Sequence, residues 1–195
     1  MDKRLFLGTA AAAAAGLAGN AQAVRANGAG PALLTIGGAI RNANRGPLDP
    51  ALDQMMHKQK VAFNAAHTFD FARLASMKAR QVRPVLEYDG KEHTLGGPLL
   101  LDVLGQAAAD TGPTAKFLLR AVDGYVAAVT PAQARARARG MIVATHLDGK
   151  PMALGGLGPL WAVFDPARVP ELAARPVNER FGSCPWALYH IEVQA

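Results

Sequence analysis

Three Asp-Gly dipeptides, each set between strand-like runs, constrain this chain more than any other feature. They are Asp89-Gly90 in VLEYDGKEHTL, Asp123-Gly124 in FLLRAVDGYVAAV and Asp148-Gly149 in MIVATHLDGKPMAL. Asp-Gly supplies the positive φ that tight hairpin turns need at both central positions, so three hairpins are expected. Helix signals lie around them. Asp70 is placed to cap FARLASMKA, in which Phe71, Leu74 and Met77 share a face. GPLLLDVLGQAA reads as a helix with Pro98 near its start, and Thr130-Pro131 opens a short helix through AQARARAR that Gly140 ends. ALLTIGGAI (32–40), WAVF (161–164) and WALYHIEV (186–193) read as strands, while ARVPELAARPVN reads as an extended or weakly helical loop. Hairpins mixed with short helices predict an α+β domain rather than a parallel βαβ array.

The N-terminus is set apart from that domain. Lys3 and Arg4 precede a 15-residue apolar run, Leu5 to Gly19, and Ala21-Gln22-Ala23 fits a small-residue cleavage site. That is the pattern of an export signal. The run is shorter than the roughly 20 residues a spanning helix needs, although an uncleaved anchor is the alternative. Lys3-Arg4-Leu5-Phe6-Leu7 also resembles a twin-arginine export motif with Lys in the first position. The expected organisation is a signal over 1–23, a flexible leader over 24–31 and one domain over 32–195, located in the periplasm without stable membrane insertion. Losing Asp2, Lys3 and Arg4 with the signal lowers the net charge from +6 to +5. Nucleic acid is a poor partner in that compartment.

Arg135, Arg137 and Arg139 in ARARARG are the one basic cluster. At a spacing of two on a helix they fan outward, as a solvated surface or as a contact patch for an acidic partner or anionic lipid. Cys184 is the only cysteine, so packing rather than an intrachain disulfide must hold the domain together.

Enzyme signatures are missing from the sequence. No two of His57, His67, His93, His146 and His190 stand at i and i+4, and there is neither a G-x-S-x-G elbow nor a G-x-G-x-x-G turn. Cys184, in GSCPWA, reads as a buried, inert thiol, and no catalytic residue is assigned. What accumulates instead suits a flat, polar heterocycle. In GGLGPLW (155–161) the glycines Gly155, Gly156 and Gly158 let backbone groups approach a ligand, and Pro159 bends the chain. Trp161, Tyr125, Trp186 and Tyr189 offer stacking faces, and Asp123 or Asp148 can accept from paired ring N–H groups. Each has a structural alternative: glycines shape turns, tryptophans fill cores and Asp-Gly pairs turn hairpins.

Taken together, LLTIGGAIRNANRG, FDFARLASM, LGGPLLLDVL, LRAVDGYVAAVTPAQA, IVATHLDGKPMALGGLGPLWAVFDP and WALYHIEV resemble, in that order, the molybdopterin-binding fold of sulfite oxidases in its small exported form. The most specific pieces are Gly158-Pro159-Leu160-Trp161 and the closing Trp186-x-Leu188-x-x-Ile191-x-Val193. The resemblance implies an α+β domain of several mixed sheets. Catalytic members carry a molybdenum-ligating Cys before the helix that follows Pro98, Arg after the Gly-Pro-x motif and Lys before the final Trp. Here RQVRPVLEYDGKEHTLGG has no Cys, and Trp161 and Pro185 occupy the other two places.

These departures make the molybdenum cofactor a poor expectation and point to a branch of periplasmic pterin-binding regulators without the metal ligand. Those regulators report pterin levels to a membrane-bound enzyme of cyclic di-GMP turnover. On that reading a tetrahydropterin-like ring lies in a slot walled by residues 155–160 and the Trp161 indole, with Asp123 on its amino-pyrimidine edge, Tyr125 stacking, and Trp186 and His146 nearby. The slot requires an open cavity beside 155–160. The rival readings are a molybdopterin-dependent oxidoreductase with Cys184 as an atypical metal ligand, and a ligand-free interaction module.

Overall fold

A computed structural model describes residues 30–137 and 140–195, so the expected export signal, nearly all of the expected leader and Arg139 lie outside the described residues. In chain order the first half contains β1 (Leu34–Gly38), α1 (Gln54–Lys58), β2 (His67–Phe69), α2 (Phe71–Ala75), β3 (Ala79–Val82), β4 (Leu95–Pro98) and α3 (Leu100–Gln106). The second half contains β5 (Lys116–Ala121), β6 (Val126–Val129), α4 (Pro131–Ala136), β7 (Ile142–Ala144), β8 (His146–Leu147), β9 (Lys150–Pro151), β10 (Trp161–Val163), α5 (Pro170–Ala173) and β11 (Leu188–Gln194).

The largest sheet runs β2-β1-β11-β5-β6, with β1 and β11 parallel and every other neighbouring pair antiparallel. A second sheet runs β3-β4-β8-β9, and β10 pairs with β7 alone. The architecture is α+β, with several sheets and short helices. Among the described residues no helix is long and apolar enough to cross a membrane.

Register explains the core. Ile36 stands opposite Ile191, and Ile191 opposite Leu119, so one face of the large sheet is aliphatic and buried against α3 and α4 through Leu100, Val103, Leu104 and Ala134. The other face alternates with it and carries Thr35, His190 and Arg120 in register. A smaller cluster of Val61, Phe63 and Ala66 lies over that second face, with Phe63 stacked on His190. Where β4 crosses β7, a Cβ on Gly97 would stand 2.0 Å from the Val143 carbonyl oxygen, so the close approach of the two backbones needs glycine there.

The Asp-Gly turns behave in three ways. Asp148 and Gly149 both take positive φ, 49° and 77°, and turn β8 into β9 as expected. Between β5 and β6 only Gly124 does so, because Asp123 shapes the bend by accepting the Tyr125 N–H at 2.9 Å. Asp89-Gly90 turns a pair that is bridged only at Val85 and Glu92.

The first and third turns are joined through His93, whose Nδ1 lies 2.7 Å from Asp148 and whose Nε2 lies 2.9 Å from Asp89. Hydrogen bonds to Asp148 and then Asp89 raise the His93 pKa above 6.5. The link is therefore complete while the imidazole is charged, and weakens as pH rises through the folded pKa. An NMR titration is expected to place His93 above 6.5 in the wild type and lower it in Asp148→Asn. An unshifted His93 in the wild type would contradict the contact.

Helix ends depart from the sequence reading for local reasons. Asp70 caps α2 by accepting from the Arg73 N–H at 2.7 Å, as expected, but the helix stops at Ala75 because residues 79–82 are drawn into β3. Pro98 is the last residue of β4 rather than a helix start, and α3 opens after Leu99 without a side-chain cap. The Thr130–Gln133 capping box and Pro131 start α4, which ends at Ala136, four residues before Gly140.

Candidate functional site

The stretch that suggested a slot is built for packing. Trp161 is 1% exposed, its Nε1–H donates to the Cys184 carbonyl at 2.8 Å, and its ring centroid lies 5.8 Å from that of Phe181. Gly155 takes φ 95° in an exposed turn. A Cβ on Gly158 would lie 2.5 Å from the Met152 Cβ, so the close approach this glycine permits is to the chain itself. Gly155, Gly156, Gly158, Pro159 and Trp161 line neither of the two cavities described below. The expected role of the Trp161 indole as an open slot wall is therefore corrected. A large apolar ring is worth more buried than exposed, and the glycine turn only carries the chain into β10.

A half-open cavity of about 250 Å³ lies elsewhere, among residues 87–88, the β5–β6 turn and 178–186. Three of the expected site residues meet there: Asp123, Tyr125 and Trp186. Tyr125 is 47% exposed, and its hydroxyl donates to the Gly182 carbonyl at 2.5 Å, which ties the turn to the opposite wall. Trp186 is half-buried, and its backbone bridges to that of Trp161. Trp161 thus supports the cavity wall from behind rather than forming it.

Glu87 and Tyr88 complete the lining. Tyr88 is 57% exposed, and its hydroxyl pKa is raised first by burial and then by the negative charge of Glu87. The sequence signal for both is an acidic residue and an aromatic one side by side in LEYDG, next to a hairpin turn. Cys184 also borders the cavity, but the residue is buried and its thiol is pushed up to about 12 by desolvation, so it stands as a neutral thiol. Among the described residues, no group of three or more His, Cys, Asp or Glu stands close enough to hold a metal ion.

The remaining expected residues lie apart. His146 borders a second cavity of about 230 Å³ with Gly96, Gly97 and Thr145, and its Nδ1 is 2.8 Å from the Thr145 hydroxyl. Asp148 is bound to His93, and the buried Tyr189 donates to Gln59 at 2.8 Å. Arg135 is exposed on α4, whereas Arg137 turns inward, over the Phe164 ring at 4.8 Å and onto the Ser183 hydroxyl. The expectation is corrected for Arg137 alone: a guanidinium that finds an aromatic face and a hydroxyl acceptor is held against its own domain. Compared with known families and with curated proteins, the chain matches no family model and no curated protein.

Proposed function

We propose that the protein is a non-catalytic binding protein for a pterin-class ring, held between Tyr88, Tyr125 and Trp186. In this reading it works in the periplasm as the sensing partner of a membrane-bound enzyme of cyclic di-GMP turnover. One observation carries the binding half: Asp123, Tyr125 and Trp186, singled out for a flat heterocycle, converge from separate segments on one cavity. Pro185, which replaces the Lys of the catalytic relatives this chain resembles, borders the same cavity, as do two residues of the segment that carries their metal ligand. Two of the three places at which this chain departs from those catalytic members thus border the cavity, and the third, Trp161, lies behind its wall.

Size and charge support a bare ring. Sites for drug-sized ligands run from about 300 Å³ upward, so about 250 Å³ suits one fused ring system better than a ring with a long tail. Two carboxylates and, among the described residues, no lining cation do not fit the phosphate of molybdopterin. The signalling half rests on the resemblance and on the export signal. Ring occupancy would favour one arrangement of the Tyr125–Gly182 tie, and a receptor domain that binds this arrangement better would read it.

Calorimetry with a tetrahydropterin tests the binding. The wild type is expected to bind, and Trp186→Ala to weaken binding at least about tenfold, the loss typical of one stacked aromatic face. A folded wild type giving no heat, or unchanged affinity in Trp186→Ala, would overturn the proposal.

A further inference from the structure

We infer that Glu87 and Asp123 make the cavity a charge filter, admitting flat guests that are neutral or cationic and rejecting the same ring once it carries phosphate. The inference rests on the reading of this cavity as the ligand site, and it goes beyond that reading by assigning specificity to a residue pair.

The two carboxylates stand in one half-open space with three aromatic side chains, and among the described residues no Lys, Arg or His lines it. Neither carboxylate belongs to an ion pair among those residues. The arginines and histidine that do form pairs serve Asp53, Asp89, Asp148 and Asp165 instead. Arg137, which touches neighbouring Ser183, directs its guanidinium at that hydroxyl and at Phe164, and is not part of the lining. Burial, and then the negative charge of the adjacent Glu87, raise the Tyr88 hydroxyl pKa.

One oxygen of Asp123 is held by the Tyr125 N–H at 2.9 Å, which orients the carboxylate while its second oxygen has no partner among the described residues. A guest that presents adjacent N–H donors therefore meets acceptors, and the faces of Tyr88, Tyr125 and Trp186 favour positive charge as well. A phosphate brings two more negative charges into a space that, among the described residues, offers it no lining cation, and at low salt like charges sharing one half-open cavity repel.

The test compares 6-hydroxymethylpterin with its phosphate ester by calorimetry at low salt, on the wild type and on Glu87→Gln/Asp123→Asn. Both substitutions keep the side-chain shape, and the amide oxygen introduced by Asp123→Asn can still accept from the Tyr125 N–H, so circular dichroism should be unchanged. The parent ring is expected to bind the wild type at least about tenfold more tightly than the ester, with the gap shrinking below about threefold in the double variant. Equal binding of ring and ester to the wild type would overturn the filter alone. A gap that survives in the double variant would overturn its assignment to these two residues. No heat from either compound on folded protein would overturn the site reading and the filter together.

Discussion

Trp161→Ala is expected to lower the free energy of unfolding by about 3–5 kcal/mol, as deletion of a fully buried indole usually does. The ring is 1% exposed, packs beside Phe181 and donates its only N–H to the Cys184 carbonyl. Truncation leaves a cavity in the core and an acceptor without a partner, two costs that add. Trp161→Phe should recover most of the packing and lose chiefly the hydrogen bond, about 1 kcal/mol. Urea unfolding monitored by circular dichroism measures both. A loss below about 1 kcal/mol for Trp161→Ala would mean that the indole is not in the core. The contrast with Trp186→Ala is informative, because Trp186 is only half-buried and borders the cavity. That variant should lose little stability and most of the ligand affinity.

The second large effect is an acid-sensitive core. His190 is 1% exposed, and neither ring nitrogen has a hydrogen-bond partner among the described residues. It stands in register with Arg120, stacks on Phe63 and lies near Tyr189. Burial, followed by the positive charge of Arg120, lowers its pKa from 6.5 to about 4. The unfolded chain therefore binds more protons than the folded one between those two values. The stability that depends on neutral His190 is complete above about pH 6.5, falls as pH drops through that window and has lost about 3 kcal/mol below pH 4. His190→Leu conserves volume and removes two unsatisfied nitrogens, so it should be neutral or stabilising at about pH 7.5. Urea midpoints from about pH 4 to 8 should then show a much flatter acid limb for the variant than for the wild type. Asp53, Asp89 and Asp148, whose pKa values are lowered, add their share below their ordinary range in both proteins, so the difference isolates the histidine. Parallel limbs would contradict the assignment.

These two residues also show how far sequence reasoning reaches. WALYHIEV reads as a strand, and it is one over Leu188–Gln194, but its histidine looks like an interruption of an apolar run. Only the register against β1 and β5 shows that His190 alternates onto the second face, where the segment holding Phe63 covers it. The two tryptophans likewise look alike along the chain. One is sealed behind the wall and the other forms it, and no near neighbour of either in the sequence decides which. Asp123 and Tyr125 were legible because a single Asp-Gly turn carries both, so their proximity is local. Glu87 and Tyr88 were not, because they reach the cavity by a long-range crossing from a different turn.

The helix caps at Asp70 and Thr130, the turns at Gly124 and Gly149 and the mixture of strands with short helices were determined by the sequence alone. Each depends on φ preferences and hydrogen bonds that close within a few residues. The tertiary structure alone decided which aromatic rings face a cavity, which way Arg137 turns and why the Trp161 end of GGLGPLW packs inward. Those outcomes depend on which distant surfaces compete to cover a side chain, and burial free energy is settled by the whole core rather than by neighbours in the chain.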